Sequence, residues 1–247
     1  MEQLTAFQLK IDSATEAETI QLIEESIINR NKPLQHIVVN VAKIVHAQKD
    51  EELRNAINNS DIVNIDGQGV VWALKLLGHK VPGRVAGCDL FQSLVALSAE
   101  KGFRPYFFGA QQKVLDEMVR RFKEKYPSLQ IVGCRNGYYS AEEEPAIAEE
   151  IRSANPDLLF LGITSPKKEL FIDRYTAQMK IPFTMGVGGS FDVVAGKVKR
   201  APRWMQRAGL EWFYRILQEP KRMWKRYAVT NSKFALLLIR EFFKKRD

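Results

Sequence analysis

Ile62-Val63-Asn64-Ile65-Asp66-Gly67-Gln68-Gly69 reads as a short buried strand that stops at a carboxylate and restarts, through a glycine-rich turn, as a helix. The same change recurs along the chain. Apolar runs at residues 36–41, 62–65, 105–108, 130–133, 158–162 and 182–187 alternate with longer amphipathic segments. This rhythm predicts βαβ units and an α/β fold whose sheet is mostly parallel and flanked by helices. The runs end at Asn40, Asp66-Gly67, Gly109-Ala110, Gly162 and Gly186. In an open α/β sheet these strand ends face the ligand crevice.

Charge divides the 247 residues near Gly196. Residues 197–247 carry 15 Lys+Arg against 4 Asp+Glu, whereas residues 1–196 carry 22 against 25, so the net +8 lies in the tail. The division predicts a core over 1–196 and a basic helical appendage over 197–247. Pro202 and Pro220 should break that appendage into helices at 203–217, 221–227 and 232–243. Trp204, Trp212, Phe213, Tyr214, Trp224 and Tyr227 stand among its cations. Cations pair with phosphate oxygens while rings settle at headgroup depth, so an anionic membrane face fits best, with nucleic acid as the rival. There is no signal-peptide pattern and no 18-residue apolar run, which predicts a cytoplasmic protein. Cys88 and Cys134 are too few for a disulfide framework or a zinc site.

Three strand-to-helix turns, and one further turn before a helix, carry candidate chemistry. Asp66 is placed either to cap its helix or to act as a general base, and Asp192 has the same two readings. The loop Gly186-Val-Gly-Gly-Ser190 either offers successive N–H groups to an anion, through Gly186, Gly188 and Gly189, or is a tight turn. Lys167 and Lys168 oppose the dipole at a helix start, as ligand contacts or as solvated lysines. Arg84, on the turn before the helix near Asp89, either clamps a phosphate or pairs with a surface acid. No Asp-x-Asp pair, HExxH motif or Cys/His cluster is present, so no catalytic metal is expected.

Together, Asp66-Gly-Gln-Gly-Val, Arg84-Val-Ala-Gly, Gly162-Ile-Thr-Ser-Pro-Lys-Lys-Glu169, Gly186-Val-Gly-Gly-Ser-Phe-Asp192 and the string from Lys199 to Arg215 resemble the WecG/TagA/CpsF family of glycosyltransferases. The resemblance runs from about residue 7 to residue 227, and the order of unusual residues after Gly186 makes it specific. It implies a Rossmann-like core with a basic C-terminal appendage. It also implies transfer of an N-acetylmannosamine-type or uronic sugar from UDP to a polyprenyl-diphosphate-linked sugar on the inner face of the bacterial membrane. The products of such enzymes are wall teichoic acid, common antigen or exopolysaccharide. Carried onto this chain, the resemblance makes Asp66 the general base and Arg84 the arginine that contacts the sugar nucleotide. Asn40 matches the asparagine after the first core strand. Val38 stands where the teichoic acid branch has threonine, and Lys168 where it has glutamine. The added cation widens the implied donor to an acidic or differently substituted hexose.

The residues fit that chemistry on their own terms. Transfer from a UDP-sugar needs a base for the acceptor hydroxyl and positive charge for the departing diphosphate. The chain offers an aspartate and many cations, so the expectation is an inverting, metal-independent reaction with no cofactor. Arg215 and Arg222 of the tail are expected to reach the acceptor diphosphate while neighbouring cations dock on anionic lipid. Residues 232–247, the most apolar piece, are expected to serve mainly that docking. The alternatives are a nucleic-acid-binding module with a basic arm and a soluble nucleotide-dependent enzyme whose tail makes a homo-oligomer. The first leaves Asp66, Arg84 and the Gly186 loop without a joint purpose, so no nucleic-acid partner is expected.

Overall fold

The computed structural model describes residues 1–244, apart from the side chains of Arg222 and Arg226. The chain opens with a hairpin, β1 (Glu2–Ala6) and β2 (Leu9–Ser13), followed by α1 (Glu16–Asn29). Then come β3 (Leu34–Val39), α2 (Val41–Ala47), α3 (Glu51–Asn59), β4 (Ile62–Ile65), α4 (Gln68–Leu76) and α5 (Gly87–Lys101). The second half contains β5 (Pro105–Gly109), α6 (Gln112–Lys125), β6 (Gly133–Arg135), α7 (Glu144–Ser153), β7 (Leu158–Gly162), α8 (Lys167–Met179) and β8 (Phe183–Gly186). Helices α9 (Ser190–Val194), α10 (Arg203–Arg207), α11 (Glu211–Gln218) and α12 (Pro220–Lys244) complete the chain.

Six strands form one sheet in the order β4-β3-β8-β7-β5-β6, and every neighbouring pair is parallel. The expected α/β, Rossmann-like architecture is therefore present. Parallel strands buried on both faces are mostly apolar, which is why Leu158-Leu-Phe-Leu161 and Tyr106-Phe-Phe108 are buried along their length. One face carries α1, α5, α6 and α9, packed around Phe91, Phe107, Phe160 and Phe191. The other carries α2, α3, α4 and α12 over β3 and β4, and α7 and α8 over β5 and β7. The run expected at 130–133 enters the sheet later, at Gly133, where a Cβ would lie 2.3 Å from the Tyr106 ring. Because all six strands point the same way, Asn40, Asp66, Ala110, Gly162 and Gly186 line one edge of the sheet.

The terminal hairpin is absent from the sequence reading. Its turn is Phe7-Gln8, at φ +55° and +62°, a left-handed pair with neither glycine nor asparagine. Tertiary contacts hold it there. Phe7 is buried with its ring 5.2 Å from Phe234, its N–H donates to Glu241 at 3.2 Å, and its carbonyl accepts from Gln48 at 2.8 Å.

The tail also differs from expectation. Pro220 takes the first position of α12, where its missing N–H costs nothing, and the helix continues unbroken to Lys244. Phe234, Leu237, Leu238 and Phe242 pack onto the core cluster of β3, β4 and the hairpin. Residues 232–244 thus close the core on one face, a packing role that the sequence reading did not give them. Phe234→Ala should cost about 3–5 kcal/mol, as removal of a buried phenyl ring does. Urea unfolding of the purified variant checks this, and a loss below about 1 kcal/mol would contradict the packing.

Candidate active site

Asp66 ends β4, but it does not cap the helix that follows. The N-cap of α4 is Gly67, with no side-chain cap. The Asp66 carboxylate instead accepts from the Gly87 N–H, at the start of α5, at 3.2 Å. The intervening chain returns alongside the strand, where the Val85 N–H donates to the Ile65 carbonyl at 2.8 Å. That bond seats Arg84 beside the strand end. Asn40, at the end of the adjacent β3, caps α2 by accepting from the Lys43 N–H at 3.0 Å. A Cβ on Gly67 would lie 3.4 Å from the Asn40 Cβ, so the turn after Asp66 rests on Asn40. Asn40, Asp66 and Arg84 therefore converge.

The tail covers this edge. Gly209, at φ +73°, turns the chain between α10 and α11 against Gln68, which a Cβ would meet at 2.5 Å. Arg84 donates to the Gln206 carbonyl at 3.3 Å and to Glu211 at 3.1 Å. Arg200 grips Asp89 with both terminal nitrogens and lies 3.5 Å from Glu211 through Nε. Arg215 stands 3.9 Å from the same carboxylate. Arg84, Arg215 and Glu211 thus stand near enough to Asp66 to act on its charge, and Arg200 joins them through Glu211. Burial pushes the Asp66 carboxyl above the usual aspartate range and Glu211 adds to the rise, while the Gly87 N–H, Arg215 and Arg84 oppose it. A strand-end carboxylate of raised basicity among fixed cations suits proton abstraction next to an anionic leaving group.

Lys168 is not a solvated lysine, one of the two readings the sequence left open. It is buried, ion-paired with Glu169, and its Cδ and Cε underlie Gly186, where a Cβ would meet them at 3.0 Å. Lys43, reaching up from α2, binds the same Glu169 oxygen at 2.7 Å and also donates to the Val38 carbonyl. Burial, seconded by Lys43, pushes the Lys168 ammonium down to about 8 against the pull of Glu169. Burial works to raise Glu169, but Lys43 and Lys168 outweigh it and hold that carboxyl at about 2. This buried triad lies between the ends of β3 and β8, touching Val38 on one and Gly186 on the other. Lys167 turns the other way, over the Tyr139 ring at 3.5 Å.

The glycine loop spends its amides internally. The Val187 and Gly188 N–H groups both donate to the Leu161 carbonyl, at 2.9 and 3.1 Å, and the Ser190 N–H donates to Val187. The Gly188 N–H is thus used within the fold, and the loop forms a tight turn with Gly188 at φ +54°. Gly162 needs its missing side chain because a Cβ would lie 2.4 Å from the Phe191 ring, the contact that seats α9. Asp192 pairs with Lys197 at 3.1 Å, and its carbonyl accepts from the N–H groups of Lys197 and Val198. It anchors the start of the tail. Arg222 lies on α12, and its side chain falls outside the described residues. Sequence reasoning did not single out Lys43, Glu169, Arg200 or Glu211. Arg200 and Glu211 lie within the motif from Lys199 to Arg215, but a lone acid in a basic tail gives no sign that it faces three arginines.

A parallel sheet whose carboxyl edge sets an aspartate of raised pKa near arginines suits group transfer at an anionic substrate. The chain belongs to the glycosyl transferase WecG/TagA/CpsF family, whose sequence profile matches residues 4–247. It is a glycosyltransferase. The match passes beyond residue 227 and takes in all of α12, in keeping with that helix's place in the core. The N-acetylglucosaminyldiphosphoundecaprenol N-acetyl-beta-D-mannosaminyltransferase of Bacillus subtilis (strain 168) is 34% identical over 222 residues, 90% of this chain and 85% of the relative. The protein of the same name from Bacillus spizizenii (strain ATCC 23059 / NRRL B-14472 / W23) is 35% identical over 204 residues, 83% of this chain and 78% of the relative.

Proposed function

We propose that the protein moves a hexose of the N-acetylmannosamine type, or an acidic relative of it, from a UDP-sugar to N-acetylglucosamine on a polyprenyl diphosphate. The observation that carries this reading is the grouping of Asp66 with Arg84 and Arg215 at one strand edge, with Glu211 tying Arg200 to the same cluster. Asp66 takes the proton of the acceptor hydroxyl as that oxygen attacks the anomeric carbon. Direct displacement inverts the configuration. The bond to the UDP oxygen breaks, and Arg84 and Arg215 stabilise the charge released on the diphosphate in place of a metal. Asn40 orients the donor beside the turn after Asp66, and the Lys43–Glu169–Lys168 triad gives Gly186 its position under the sugar. Nucleic-acid binding would leave this grouping without a use.

The acceptor explains the surface of the tail. Helix α11 buries none of its residues, and Trp212, Phe213 and Leu217 are exposed on it. Leu236, Ile239 and Phe243 form an outward stripe on α12, beside Lys233, Arg240 and Lys244. Among the described residues no helix is long and apolar enough to cross a membrane. We therefore assign these faces to peripheral docking at headgroup depth, next to the lipid-borne diphosphate.

The test is transfer from a panel of UDP-hexoses to a short-chain prenyl-diphosphate N-acetylglucosamine, with and without EDTA. Product should form with EDTA present, and its anomeric configuration should be the opposite of the donor's. No transfer from any UDP-hexose would refute the reading, and rescue of a stripped enzyme by magnesium or manganese would refute metal independence. Arg84→Lys should lower kcat/KM by roughly tenfold or more, because lysine keeps the charge but lacks the planar fork of donors. A rate within a factor of two of wild type would remove Arg84 from the mechanism.

A further inference from the structure

Glu211 holds one carboxylate among three guanidinium groups. Its Oε2 lies 3.1 Å from Arg84, and its Oε1 lies 3.5 Å from Arg200 and 3.9 Å from Arg215. Two of these contacts are too long for hydrogen bonds, and Arg200 Nε is a buried donor that makes none. Arg200 also gives its terminal nitrogens to Asp89, and Arg84 gives one of its own to the Gln206 carbonyl. Each guanidinium nevertheless offers five N–H donors in a rigid fork, so the cradle remains underfilled at Arg200 Nε and at the long Arg215 contact. The surroundings are sheltered, with the side chains of Glu211 and Arg84 17% and 18% exposed. A diphosphate has more oxygens and more charge than a carboxylate and matches the same forks. Glu211 also rides on α11, which has no buried residue to fix it in place.

The geometry points to an exchange of anions: Glu211 occupies the seat of a diphosphate, and an entering diphosphate takes Arg84 and Arg200 from it. Glu211 is thus the residue that sets diphosphate affinity, because every binding event must first break its ion pairs. The inference rests on the reading of Arg84 as a diphosphate ligand. That diphosphate belongs either to the nucleotide donor or to the prenyl acceptor.

Calorimetric titration of wild type, Glu211→Gln and Arg84→Lys with UDP and, separately, with farnesyl diphosphate distinguishes the sources. Glu211→Gln should bind at least one probe roughly tenfold tighter than wild type, since the free protein no longer satisfies its arginines with an internal anion. The probe that gains identifies the source, and a gain with both means that both diphosphates use the seat. Arg84→Lys should bind the same probe more weakly. If Arg84→Lys weakens binding but Glu211→Gln does not tighten it for either probe, the exchange is wrong and the diphosphate reading stands. If Arg84→Lys binds both probes as wild type does, or wild type binds neither, the diphosphate reading itself fails and the exchange falls with it. Should Glu211→Gln not fold, Glu211→Asp withdraws the charge by one methylene and should tighten binding by a smaller factor. Unchanged or weaker binding in that variant overturns the exchange.

Discussion

Asp66→Asn is expected to lower turnover by about 10²- to 10⁴-fold, the usual effect of losing a general base, while leaving UDP binding within a few-fold of wild type. The amide keeps the shape of the side chain and its acceptor for the Gly87 N–H, so the fold should survive. It should in fact gain stability at neutral pH. The folded carboxyl titrates above its ordinary value of 3.8, chiefly because burial disfavours the charge. Below that value both folded and unfolded chains are protonated, and the residue contributes nothing. As pH rises, the unfolded chain ionises first, so the folded state loses stability until its own carboxyl has ionised. Asp66→Asn removes that penalty, so its melting temperature should exceed that of wild type near pH 7 and converge with it near pH 4. Wild-type activity should likewise rise with pH along a limb displaced upward from the ordinary aspartate value. Purified Asp66→Asn turning over within a factor of two of wild type would end the assignment.

The largest loss of stability is expected from Glu169→Gln, at about 3–5 kcal/mol near pH 7, because it strands Lys43 and Lys168 in the interior. Both ammonium groups share one Glu169 oxygen. Without it Lys43 retains the Val38 carbonyl and Lys168 retains no carboxylate. Lys168→Gln should be far milder, since Lys43 continues to pair Glu169 at 2.7 Å. The pH dependence separates lost charge pairing from lost shape. The folded pKa of Lys168 is about 8, against 10.5 for a free lysine. Between those values the unfolded chain binds more protons, so stability rises with pH across the window. In Glu169→Gln the window opens at lower pH, and part of the deficit should be recovered by pH 9.5. Urea unfolding of the three proteins at pH 7 and 9.5 tests this. Equal losses for Glu169→Gln and Lys168→Gln would show that Glu169 is not the common partner.

The sheet was legible because parallel strands buried on both faces are mostly apolar, as five of the six strands are despite buried His36 and Asn64. The edge strand β6 was displaced because it is short and partly exposed, which leaves little pattern to read. Asn40, Asp66 and Arg84 were legible because strand ends and the turns after them converge in any fold of this class. The turn at Phe7-Gln8 carries no local signal, since distant contacts hold its left-handed residues. Pro220 was read as a break although it stands where proline is tolerated. The glycine loop was ambiguous for a related reason. Composition shows that backbone is free to turn, but only the fold shows that Leu161 already takes its N–H groups.

The bond between the Phe7 N–H and Glu241 joins positions 234 residues apart. Synthesis delivers the second of these 234 residues after the first. The hairpin therefore waits in the cell with its turn unsupported until α12 leaves the ribosome, and this late, long-range contact carries a large loop-closure cost. A message truncated by a stop codon near position 230 would yield a chain with its parallel sheet intact but one flank open along Ile37, Val39, Val63 and Ile65. In such a chain the turn at Phe7-Gln8 would lack the Glu241 bond and the Phe234 ring that hold it.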